Sequence, residues 1–439
     1  MPVLKGKTFA HTTLGCKVNT YDTQAMAEIL KNHGCIAVSF EDRADIYIIN
    51  TCTVTNSGDK KSRQALRKAV KLNPEAVVVA CGCYSQIHPE AVKKIEGVSI
   101  LIGTQDRMRI AEFISQYLEG REQKDFVSDI SDQKEFEDLT ISSMDKRARA
   151  YIKIQEGCDR YCTYCIIPYV RGRVRSRLPE NIISEAKRLS ASGCKEIVLT
   201  GIHIASYGKD IEGTDLVKIL YALHEVEKIE RIRFGSVDPL AVTDELLDAM
   251  GNLPKICDHM HLSLQSGCDK ILQAMNRRYN TAEYSAAVEK LRSVMPGCGI
   301  TTDIIVGFPG ESDKDFEESL EFVKLMGFSK VHIFPYSPKA GTKAASMENQ
   351  IPSYVKEGRA RLMGELGAAL AQDFAKKFEN TKLKVLFEQK IGNNLYEGHS
   401  TNYIIFRQES TADITNNILE VEASHAKEGC LCGKILKLN

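Results

Sequence analysis

Three cysteines in the centre of this 439-residue chain have a spacing suited to metal chemistry. Cys158, Cys162 and Cys165 form the pattern C-x-x-x-C-x-x-C within the stretch EGCDRYCTYCIIPYVRGRVRSR. A structural zinc site takes four protein ligands and usually pairs its cysteines, but no second pair follows at a suitable distance. A four-iron cluster held by three thiolates leaves one iron open for a substrate or cofactor, and catalytic zinc also keeps an open position. The three thiolates therefore predict a metal centre with an open coordination position.

A second set of cysteines lies in the first quarter of the chain. Cys16 follows the predicted strand KTFAHTTLG, Cys52 follows ADIYIINT, and Cys83 follows the apolar run VVVACG. Because the carboxyl ends of parallel strands share one edge of a sheet, we expect these thiols to converge there. Cys81 competes with Cys83, since side chains two residues apart point the same way along a strand. We prefer Cys83, because Gly82 allows the chain to turn out of the strand.

The composition of the whole chain limits the classes of protein. Its 43% hydrophobic and 26% charged residues are ordinary for globular domains. Lys+Arg and Asp+Glu both total 58, so any nucleic-acid surface must be local. The start, MPVLKGKTFAHTTLG, lacks the pattern of a signal peptide, and no stretch approaches the roughly 18 apolar residues of a membrane span. Fourteen cysteines then indicate metal binding or catalysis rather than disulfides, and we expect a cytoplasmic protein without a membrane partner.

The elements that must position these cysteines divide the chain into four segments. Residues 1–125 alternate apolar runs with helical patterns and predict a parallel α/β domain, and 126–144 form a polar, acidic linker. Residues 145–377 hold six strand candidates separated by helical patterns, which fit either an open six-stranded barrel or a closed eight-stranded one. Residues 378–439 are β-rich and bounded by Gly and Asn turns, which predicts a small antiparallel β-barrel.

Several motifs resemble one enzyme family over essentially the whole chain. GCDRYCTYCIIPYVRGR resembles the signature of radical S-adenosylmethionine enzymes, which lies on the first loop of a βα barrel. TLGCKVNTYDT, INTCTVT and GCYSQ are similar to the first domain of the methylthiotransferases, and HLSLQSG, TDIIVGFPGE and HIFPYSPKAGTKA fit them too. EGHSTNYIIF resembles the small RNA-binding barrel called TRAM. VRGRVRSR and TGIHIASYG resemble the branch that acts on threonylcarbamoyladenosine in tRNA, just 3′ of the anticodon.

The resemblance implies an α/β fold whose central unit is a partial (βα)6 barrel, and it implies two 4Fe–4S clusters. Cys158, Cys162 and Cys165 would hold the first, whose open iron binds S-adenosylmethionine and whose electron generates a 5′-deoxyadenosyl radical. The trio that begins with Cys16 would hold the second, which carries the sulfur to be methylated and transferred to carbon 2 of the adenine. One S-adenosylmethionine would supply the methyl group and another the radical. The implied partners are a tRNA anticodon stem–loop, an electron-donor protein and a sulfur source, and we expect a monomer.

The resemblance also implies cofactor contacts at the ends of the barrel strands, where barrel enzymes place their sites. Glycine at the end of IVLTG would let the backbone approach the methionyl group, and polar residues of HLSLQSG and TTDIIVG would bind the ribose or orient neighbours. The backbone of HIFP would reach the adenine. The expected cofactor-binding residues are Gly201, Ser263, Gln265, Asp303 and Phe334.

A local basic excess follows the central cysteines. Residues 145–177 carry nine Lys/Arg, including Lys146 and Arg147, against three acids, which is enough to neutralise phosphates locally. Four of these arginines alternate, so an extended segment would present them on one face. We therefore predict an RNA-facing strip formed by Arg171, Arg173, Arg175 and Arg177.

Three other functions remain open at this stage. The same chemistry has an isopentenyladenosine branch and a branch that modifies a ribosomal protein, and both share most of these motifs. A non-catalytic iron–sulfur protein that binds RNA would also need clustered cysteines and a basic segment. S-Adenosylmethionine cleavage separates the last from the enzymes, and the identity of the modified nucleoside separates the branches.

Overall fold

The structure is a computed structural model that describes residues 2–143 and 148–436. The chain folds into a parallel α/β sheet domain, a central barrel of six parallel strands and a small closed β-barrel. This architecture confirms the predicted fold class. The sequence left two alternatives for the central unit, a barrel of six strands or one of eight, and the structure has six parallel strands.

The N-terminal sheet is parallel throughout, with strand order β2-β1-β3-β4-β5-β6. Its strands are β1 (Thr8–Thr13), β2 (Ile36–Ala37), β3 (Ile46–Thr51), β4 (Val77–Gly82), β5 (Val98–Leu101) and β6 (Lys124–Asp125). The helices are α1 (Lys17–Asn32), α2 (Asn56–Leu72), α3 (Cys83–Ile87), α4 (Pro89–Lys93) and α5 (Ile110–Gly120). The two central strands, β3 and β4, are buried along their whole length because helices cover both faces of the sheet, which explains their unbroken apolar runs.

The central barrel is built from βα units, and its parallel strands follow the order β7-β9-β10/β11-β12-β13-β14. The strands are β7 (Arg149–Glu156), β8 (Arg175–Ser176), β9 (Glu196–Gly201), β10 (Arg231–Phe234), β11 (Ser236–Val237), β12 (His259–Leu262), β13 (Gly299–Val306) and β14 (Lys330–Pro335). Strands β10 and β11 are one bent strand interrupted at Gly235, and β8 pairs antiparallel with β7 at the edge.

Helices cover the outside of this barrel. They are α6 (Ile167–Arg171), α7 (Pro179–Ala191), α8 (Leu216–His224), α9 (Asp244–Asn252), α10 (Asp269–Ala274), α11 (Thr281–Val294), α12 (Asp313–Met326) and α13 (Ser353–Lys376). Short 3₁₀ turns occur at Pro2–Leu4, Arg107–Arg109, Ile130–Asp132, Ile204–Ser206, Pro239–Ala241 and Lys343–Ser346. No helix in the described part of the chain has the length and apolar character needed to cross a bilayer.

The barrel strands carry mostly apolar residues on the outer face and mostly polar residues on the inner face. Outward residues such as Ile197, Met260 and Ile304 pack with the surrounding helices in one continuous core. Their sequence neighbours point the other way, because side chains alternate along a strand. We call the space that they face the lumen; its walls include Lys153, Thr200, Arg233, His259, His261, Thr301, Asp303 and His332.

The C-terminal unit is a closed barrel with strand order β15-β16-β17-β19-β18. Its strands are β15 (Lys382–Gly392), β16 (Leu395–Ser400), β17 (Ile405–Glu409), β18 (Ile418–Lys427) and β19 (Cys430–Ile435). Apolar side chains alternating along them fill the interior, together with the end of α13. The small barrel is therefore a folded unit with its own core, joined directly to the central domain.

Buried arginines attach the small barrel to the amino ends of the central strands. Arg231 donates to the carbonyls of Lys384 at 2.8 Å and His399 at 3.0 Å, and Arg233 donates to the carbonyl of Thr401 at 3.0 Å. Glu196 accepts from Arg233 at 2.9 Å and balances the charge. The small barrel thus closes the end of the lumen opposite to the carboxyl ends of the strands.

We predict that this attachment weakens in acid and in the variant Glu196→Gln. Burial raises the pKa of Glu196, but Arg233, Arg149 and Arg231 outweigh it and lower the pKa from 4.5 to about 2. The stabilisation is therefore complete above pH 4.5 and is lost as the pH falls towards 2, with a total of about 3 kcal/mol. Hydrogen exchange of β16 amides should increase at low pH and, in Glu196→Gln, already at neutral pH. Exchange that stays unchanged in Glu196→Gln, as in the control Glu409→Gln on the barrel surface, would contradict the role of the carboxylate.

Candidate active site

Each cysteine of the N-terminal trio lies where the chain leaves a strand. Cys16 is the N-cap of α1, and its side chain makes no capping bond, unlike the Ser, Thr, Asp or Asn that usually stands there. Cys52 follows β3, and the Ser62 hydroxyl of α2 bonds its backbone N–H at 3.1 Å and its carbonyl at 2.9 Å. Cys83 is the first residue of α3. All three stand at the same edge of the sheet.

The three thiols converge, and Cys81 is separated from them. A β-carbon placed on Gly15, next to Cys16, would lie 3.0 Å from the Cys52 sulfur. Burial raises the pKa of the Cys83 thiol to about 11, and the thiols of Cys16 and Cys52 act in the same direction, which requires all three to be close. Cys81 packs instead in the sheet core, with its sulfur 3.5 Å from the carbonyl of Ile49.

Gly82 explains why two cysteines only two residues apart have different surroundings. Its φ of 88° lies in the left-handed region, and a β-carbon there would come within 2.2 Å of the Asn50 amide oxygen. The chain therefore turns at Gly82, and the strand alternation that would put Cys81 and Cys83 on one side ends there.

The central trio lies on the loop between β7 and α6. Cys158 donates its backbone N–H to the carbonyl of Gly172 at 3.0 Å, and Cys165 donates to that of Cys162 at 2.9 Å. Burial raises the pKa of Cys165 to about 12, and the thiols of Cys162 and Cys158 also raise it. The three sulfurs therefore face one another across a tight loop that leaves each of them only partly covered.

Arg277 is a site residue that the motifs do not single out. Its guanidinium donates to the Cys162 sulfur at 3.3 Å and to the Tyr279 hydroxyl at 2.9 Å. Asp238 lies 3.7 Å from it and 3.5 Å from Arg160. Burial raises the pKa of Asp238, but a hydrogen bond with His203 and the charges of these two arginines outweigh it and lower the pKa to about 2. A cation at this sulfur stabilises a thiolate. In the sequence, Arg277 is one of two adjacent arginines after α10, and no motif or spacing marks it as a site residue.

A cleft of about 360 Å³ opens beside the central trio. It is bounded by the cysteine loop, the end of α10 and the segment after β14, with Tyr161, Cys162, Cys165, Asn276, Lys343 and Met347 among its walls.

The five expected cofactor-binding residues lie on β9, β13 and β14 or within three residues after β12. Gly201 ends β9, and a β-carbon there would approach the Gln155 carbonyl to 3.0 Å. The expected polar contacts, Ser263, Gln265 and Asp303, are each partly exposed, and the Asp303 carboxylate lies 3.3 Å from a His261 nitrogen. Phe334, near the end of β14, is 49% exposed. These positions surround the open end of the lumen, and their contacts with a cofactor stay a prediction.

The expectation of an RNA-facing arginine strip is wrong for three of its four members. Arg171, Arg175 and Arg177 are at most 1% exposed, and only Arg173 faces the solvent. The segment is not extended: it forms α6, turns at Gly172 and pairs two residues with β7. Lys146 and Arg147, counted in the same basic excess, lie outside the described residues.

The buried arginines join the two domains instead. Arg171 donates to the Cys83 sulfur at 3.4 Å and to the Glu156 carboxylate at 2.9 Å, and it lies 3.3 Å from Asp22 on α1. Burial raises the pKa of Asp22, but Arg107, Lys153 and Arg171 outweigh it, so that the pKa is lowered. Arg171 therefore connects a cysteine of the first trio to Glu156, two residues before the second.

The chain matches two protein families. It matches the radical SAM superfamily over residues 152–323 and the uncharacterized protein family UPF0004 over residues 8–103. It is 41% identical, over 94% of this chain and 93% of the relative, to threonylcarbamoyladenosine tRNA methylthiotransferase MtaB of Bacillus subtilis. This chain belongs to the radical S-adenosylmethionine methylthiotransferases. The methylthiotransferase also shares 40% identity with MtaB of Aquifex aeolicus, over 92% of this chain and 97% of the relative.

A related activity appears among the other relatives. The methylthiotransferase is 34% identical to tRNA-2-methylthio-N(6)-dimethylallyladenosine synthase of Caldicellulosiruptor saccharolyticus, over 98% of this chain and 93% of the relative. Among solved structures, it is similar to the radical S-adenosylmethionine methyltransferase TsrM of Kitasatospora setae, with a TM-score of 0.58 and 13% identity. That likeness covers 77% of this chain and 75% of TsrM, and it supports the fold alone.

Membership of this family entails an enzyme with a 4Fe–4S cluster and S-adenosylmethionine. The central trio suits such a cluster: three soft thiolate donors converge on a partly exposed loop, with Arg277 at one of them and an adjoining cleft. The N-terminal trio has the same donor set, with Arg171 at one sulfur.

Proposed function

We propose that this methylthiotransferase modifies carbon 2 of N6-threonylcarbamoyladenosine next to the anticodon of tRNA, using two 4Fe–4S clusters and two molecules of S-adenosylmethionine. The observation that carries the proposal is the pairing of two three-cysteine sites, each with an arginine at one sulfur. Three thiolates per site leave one iron of each cluster open, one for S-adenosylmethionine and one for the sulfur that is transferred.

The ligand assignments follow from the convergence of the thiols. Cys158, Cys162 and Cys165 would hold the cluster that binds S-adenosylmethionine. The second cluster would be held by Cys16, Cys52 and Cys83. Bound there, the clusters and S-adenosylmethionine supply the radical, methyl-transfer and sulfur-transfer chemistry that acid–base side chains cannot provide.

The side chains around the two sites would bind and orient the clusters and S-adenosylmethionine. Arg277 and Arg171 neutralise part of the thiolate charge, and Gly201 allows a bound methionyl group to approach the end of β9. We infer that the Asp303 carboxylate accepts hydrogen bonds from the ribose of the cofactor. Ser263, Gln265 and the backbone at Phe334 would complete the cofactor contacts around the mouth of the lumen.

The acceptor is the part of the proposal that rests most on relatives. The two most similar relatives described above are named for threonylcarbamoyladenosine, at 41% and 40% identity. A dimethylallyladenosine enzyme follows at 34%, so isopentenyladenosine in tRNA is the second candidate. An electron-donor protein and a sulfur source would complete the reaction.

Nucleoside mass spectrometry of tRNA tests the acceptor directly. A strain without this gene should accumulate N6-threonylcarbamoyladenosine without its 2-methylthio form, and the gene should restore that form. Loss of the 2-methylthio form of isopentenyladenosine instead would favour the second candidate. If the deletion changes neither of these two 2-methylthio nucleosides, the result would contradict a tRNA acceptor.

We predict that the exposed face of α2 contributes phosphate contacts. The helix starts four residues after Cys52, and Asn56 at its first position bonds the carbonyl of Pro338 beyond β14 at 3.0 Å. Lys60 and Lys61 are exposed on this helix near the mouth of the site. Replacing both with alanine should weaken tRNA binding several-fold at low salt and reduce the slope of log affinity against log salt by about 2.

The charge-matched control replaces Lys314 and Lys324, which are exposed on α12. It should leave both the affinity and the salt slope unchanged, and neither pair should affect S-adenosylmethionine cleavage without RNA. Equal losses in the two double variants would indicate a non-specific charge effect and contradict a local phosphate site. Arg173→Ala, the exposed remnant of the predicted strip, is the single-residue comparison.

A further inference from the structure

The cleft beside the central trio reaches two of its cysteines from the protein surface. Cys162 and Cys165 line this cleft of about 360 Å³, and both residues are partly exposed. Among the described side chains that line it are neither Arg277 nor any of the five expected cofactor-binding residues. The cleft is therefore separate from the expected cofactor contacts.

Two exposed tyrosines stand at the edge of the cleft. Tyr161 is 43% exposed and Tyr169 is 51% exposed, and both line it. Their rings meet edge to face, with the centroids 5.7 Å apart. Tyrosine is enriched at protein–protein interfaces relative to the rest of the surface. The pair is therefore suited to contact a partner.

The backbone of the cysteine loop keeps Tyr161 in this exposed position. Its φ of 50° lies in the left-handed region, which a bulky side chain rarely adopts. The Asn276 side-chain amide donates to the Tyr161 carbonyl at 3.1 Å and stabilises this conformation. Such strained residues persist where the surrounding structure fixes them, and they are concentrated at functional sites.

The other walls of the cleft are attached to the cysteine loop by hydrogen bonds. Thr163 donates its backbone N–H to the carbonyl of Met275 at 3.0 Å, and its hydroxyl donates to the carbonyl of Ala274 at 2.9 Å. The N–H of Ala344 donates to the carbonyl of Thr163 at 2.8 Å. The end of α10, the cysteine loop and the turn at Lys343–Ser346 therefore form one connected surface.

The charge of the cleft favours an acidic partner. Lys343 is exposed and is the one charged side chain among the described residues that line the cleft. Glu348, an exposed acid, follows the lining residue Met347 but does not itself line the cleft. A surface with a cation and no carboxylate attracts a negatively charged protein and repels a positively charged one.

We propose that this cleft and its two tyrosines are the docking site of a small acidic protein that carries an exposed one-electron centre, either a flavin or an iron–sulfur cluster. In the docked complex the donor is oxidised by one electron and the cluster of the central trio is reduced by one, and no atom is transferred. Electron transfer slows steeply with distance, so a donor benefits from docking beside Cys162 and Cys165. This inference locates the electron donor of the proposed function and rests on the cluster assigned there to the central trio.

The size and charge of this surface suit a protein donor better than RNA. Electron-transfer complexes bury small interfaces, and charge steers their association. Two tyrosines and one lysine are sufficient for such a contact. An RNA strand carries one phosphate per nucleotide and is bound through several cations, whereas the lining of this cleft offers one.

The test separates delivery of the electron from the chemistry that follows it. A reduced acidic flavodoxin and a reduced acidic ferredoxin are the protein donors, and dithionite is a small reductant that needs no docking site. The rate of cluster reduction is followed by visible absorbance at increasing donor concentration, which gives a Kd. Lys343→Glu should raise this Kd about 10-fold at low salt, with a smaller difference at high salt. Tyr169→Ser should raise it several-fold at both salt concentrations.

Matched variants identify the surface. Lys314→Glu on α12 and Tyr221→Ser on α8 replace exposed residues of the same types elsewhere and should keep the wild-type Kd. Glu348→Lys adds a cation next to the cleft and should lower the Kd, opposite in sign to Lys343→Glu. With dithionite, every variant should match the wild type in reduction rate and in 5′-deoxyadenosine formation, and iron content is measured for each.

The contrary outcomes are equally specific. A wild-type Kd in both Lys343→Glu and Tyr169→Ser, or equal losses in the control variants, would overturn the inference. So would a loss of tRNA affinity with donor binding unchanged, which would assign the cleft to RNA. If either cleft variant loses iron, Glu348→Lys decides, because an unchanged Kd in that variant also overturns the inference.

The docking site and the proposed function fail in different ways. A wild-type enzyme that forms no 5′-deoxyadenosine with dithionite would contradict the proposed chemistry. An enzyme that forms it with dithionite, but that neither protein donor reduces or whose cleft variants accept both donors as well as the wild type does, would contradict the docking site alone.

Discussion

Replacing Cys83 with alanine is expected to halve the iron content of the reconstituted enzyme, from about eight to about four atoms per chain. The variant should form no 2-methylthio product and should still cleave S-adenosylmethionine when reduced. The reason is that Cys83 belongs only to the N-terminal trio, so the central cysteine loop keeps its three ligands. Iron analysis, the electron paramagnetic resonance signal of the reduced protein and 5′-deoxyadenosine formation measure the three effects.

Cys81→Ala is the matched control, because it removes the same thiol from a buried position two residues away. Its sulfur lies in the sheet core, so the variant should lose some stability and keep all of its iron and activity. The reverse pattern, with iron lost in Cys81→Ala and kept in Cys83→Ala, would mean that the wrong cysteine was assigned. A wild-type enzyme that holds only about four irons would contradict the second cluster itself.

Arg171→Met should separate the two halves of the site. The substitution leaves the buried carboxylates of Asp22 and Glu156 without one of their cations, which costs about 3–5 kcal/mol of unfolding free energy. It also removes the donor to the Cys83 sulfur. We expect lower stability in anaerobic denaturant unfolding and preferential loss of the second cluster, while cleavage of S-adenosylmethionine persists.

Two further variants identify the cause of the lower stability expected in Arg171→Met. Arg173→Met removes an exposed arginine two residues away and should change stability by less than about 0.5 kcal/mol. Combining Arg171→Met with Asp22→Asn removes one charge of each sign, so the double variant should be less destabilised than the sum of the single ones. Strict additivity would mean that the two side chains do not form a stabilising pair.

Motifs and strand–helix patterns were sufficient for the fold class and the family. Cys16, Cys52 and Cys83 were predicted to converge from topology alone, because any parallel sheet brings the ends of its strands to one edge. The cysteine loop after β7 was equally visible, since its chemistry depends on a spacing within eight residues. Both kinds of information are local or follow from strand order.

The arginines after the cysteines show what such patterns cannot decide. Alternating arginines share one face only if the segment that carries them is extended. The chain turns at Gly172, so this segment is not extended throughout. A run of arginines looks the same in the sequence whether it faces solvent or acidic partners. Here the acidic partners include Asp22 and Glu185, which lie far from one another in the chain, so the sequence does not show that they meet the arginines. Only the packing of α1 against β7 and α7 decided that these charges are buried.

By itself, the sequence determined that the chain has three units, two cysteine trios at strand ends and the motifs of one enzyme family. The tertiary structure alone decided which cation meets which sulfur, and it buried three of the four arginines of the predicted strip. The physical reason is the separation along the chain over which each feature is defined. Cysteine spacing and hydrophobic periodicity are defined over a few residues. Electrostatic partners are chosen by distance in space, which depends on how separately encoded elements pack together.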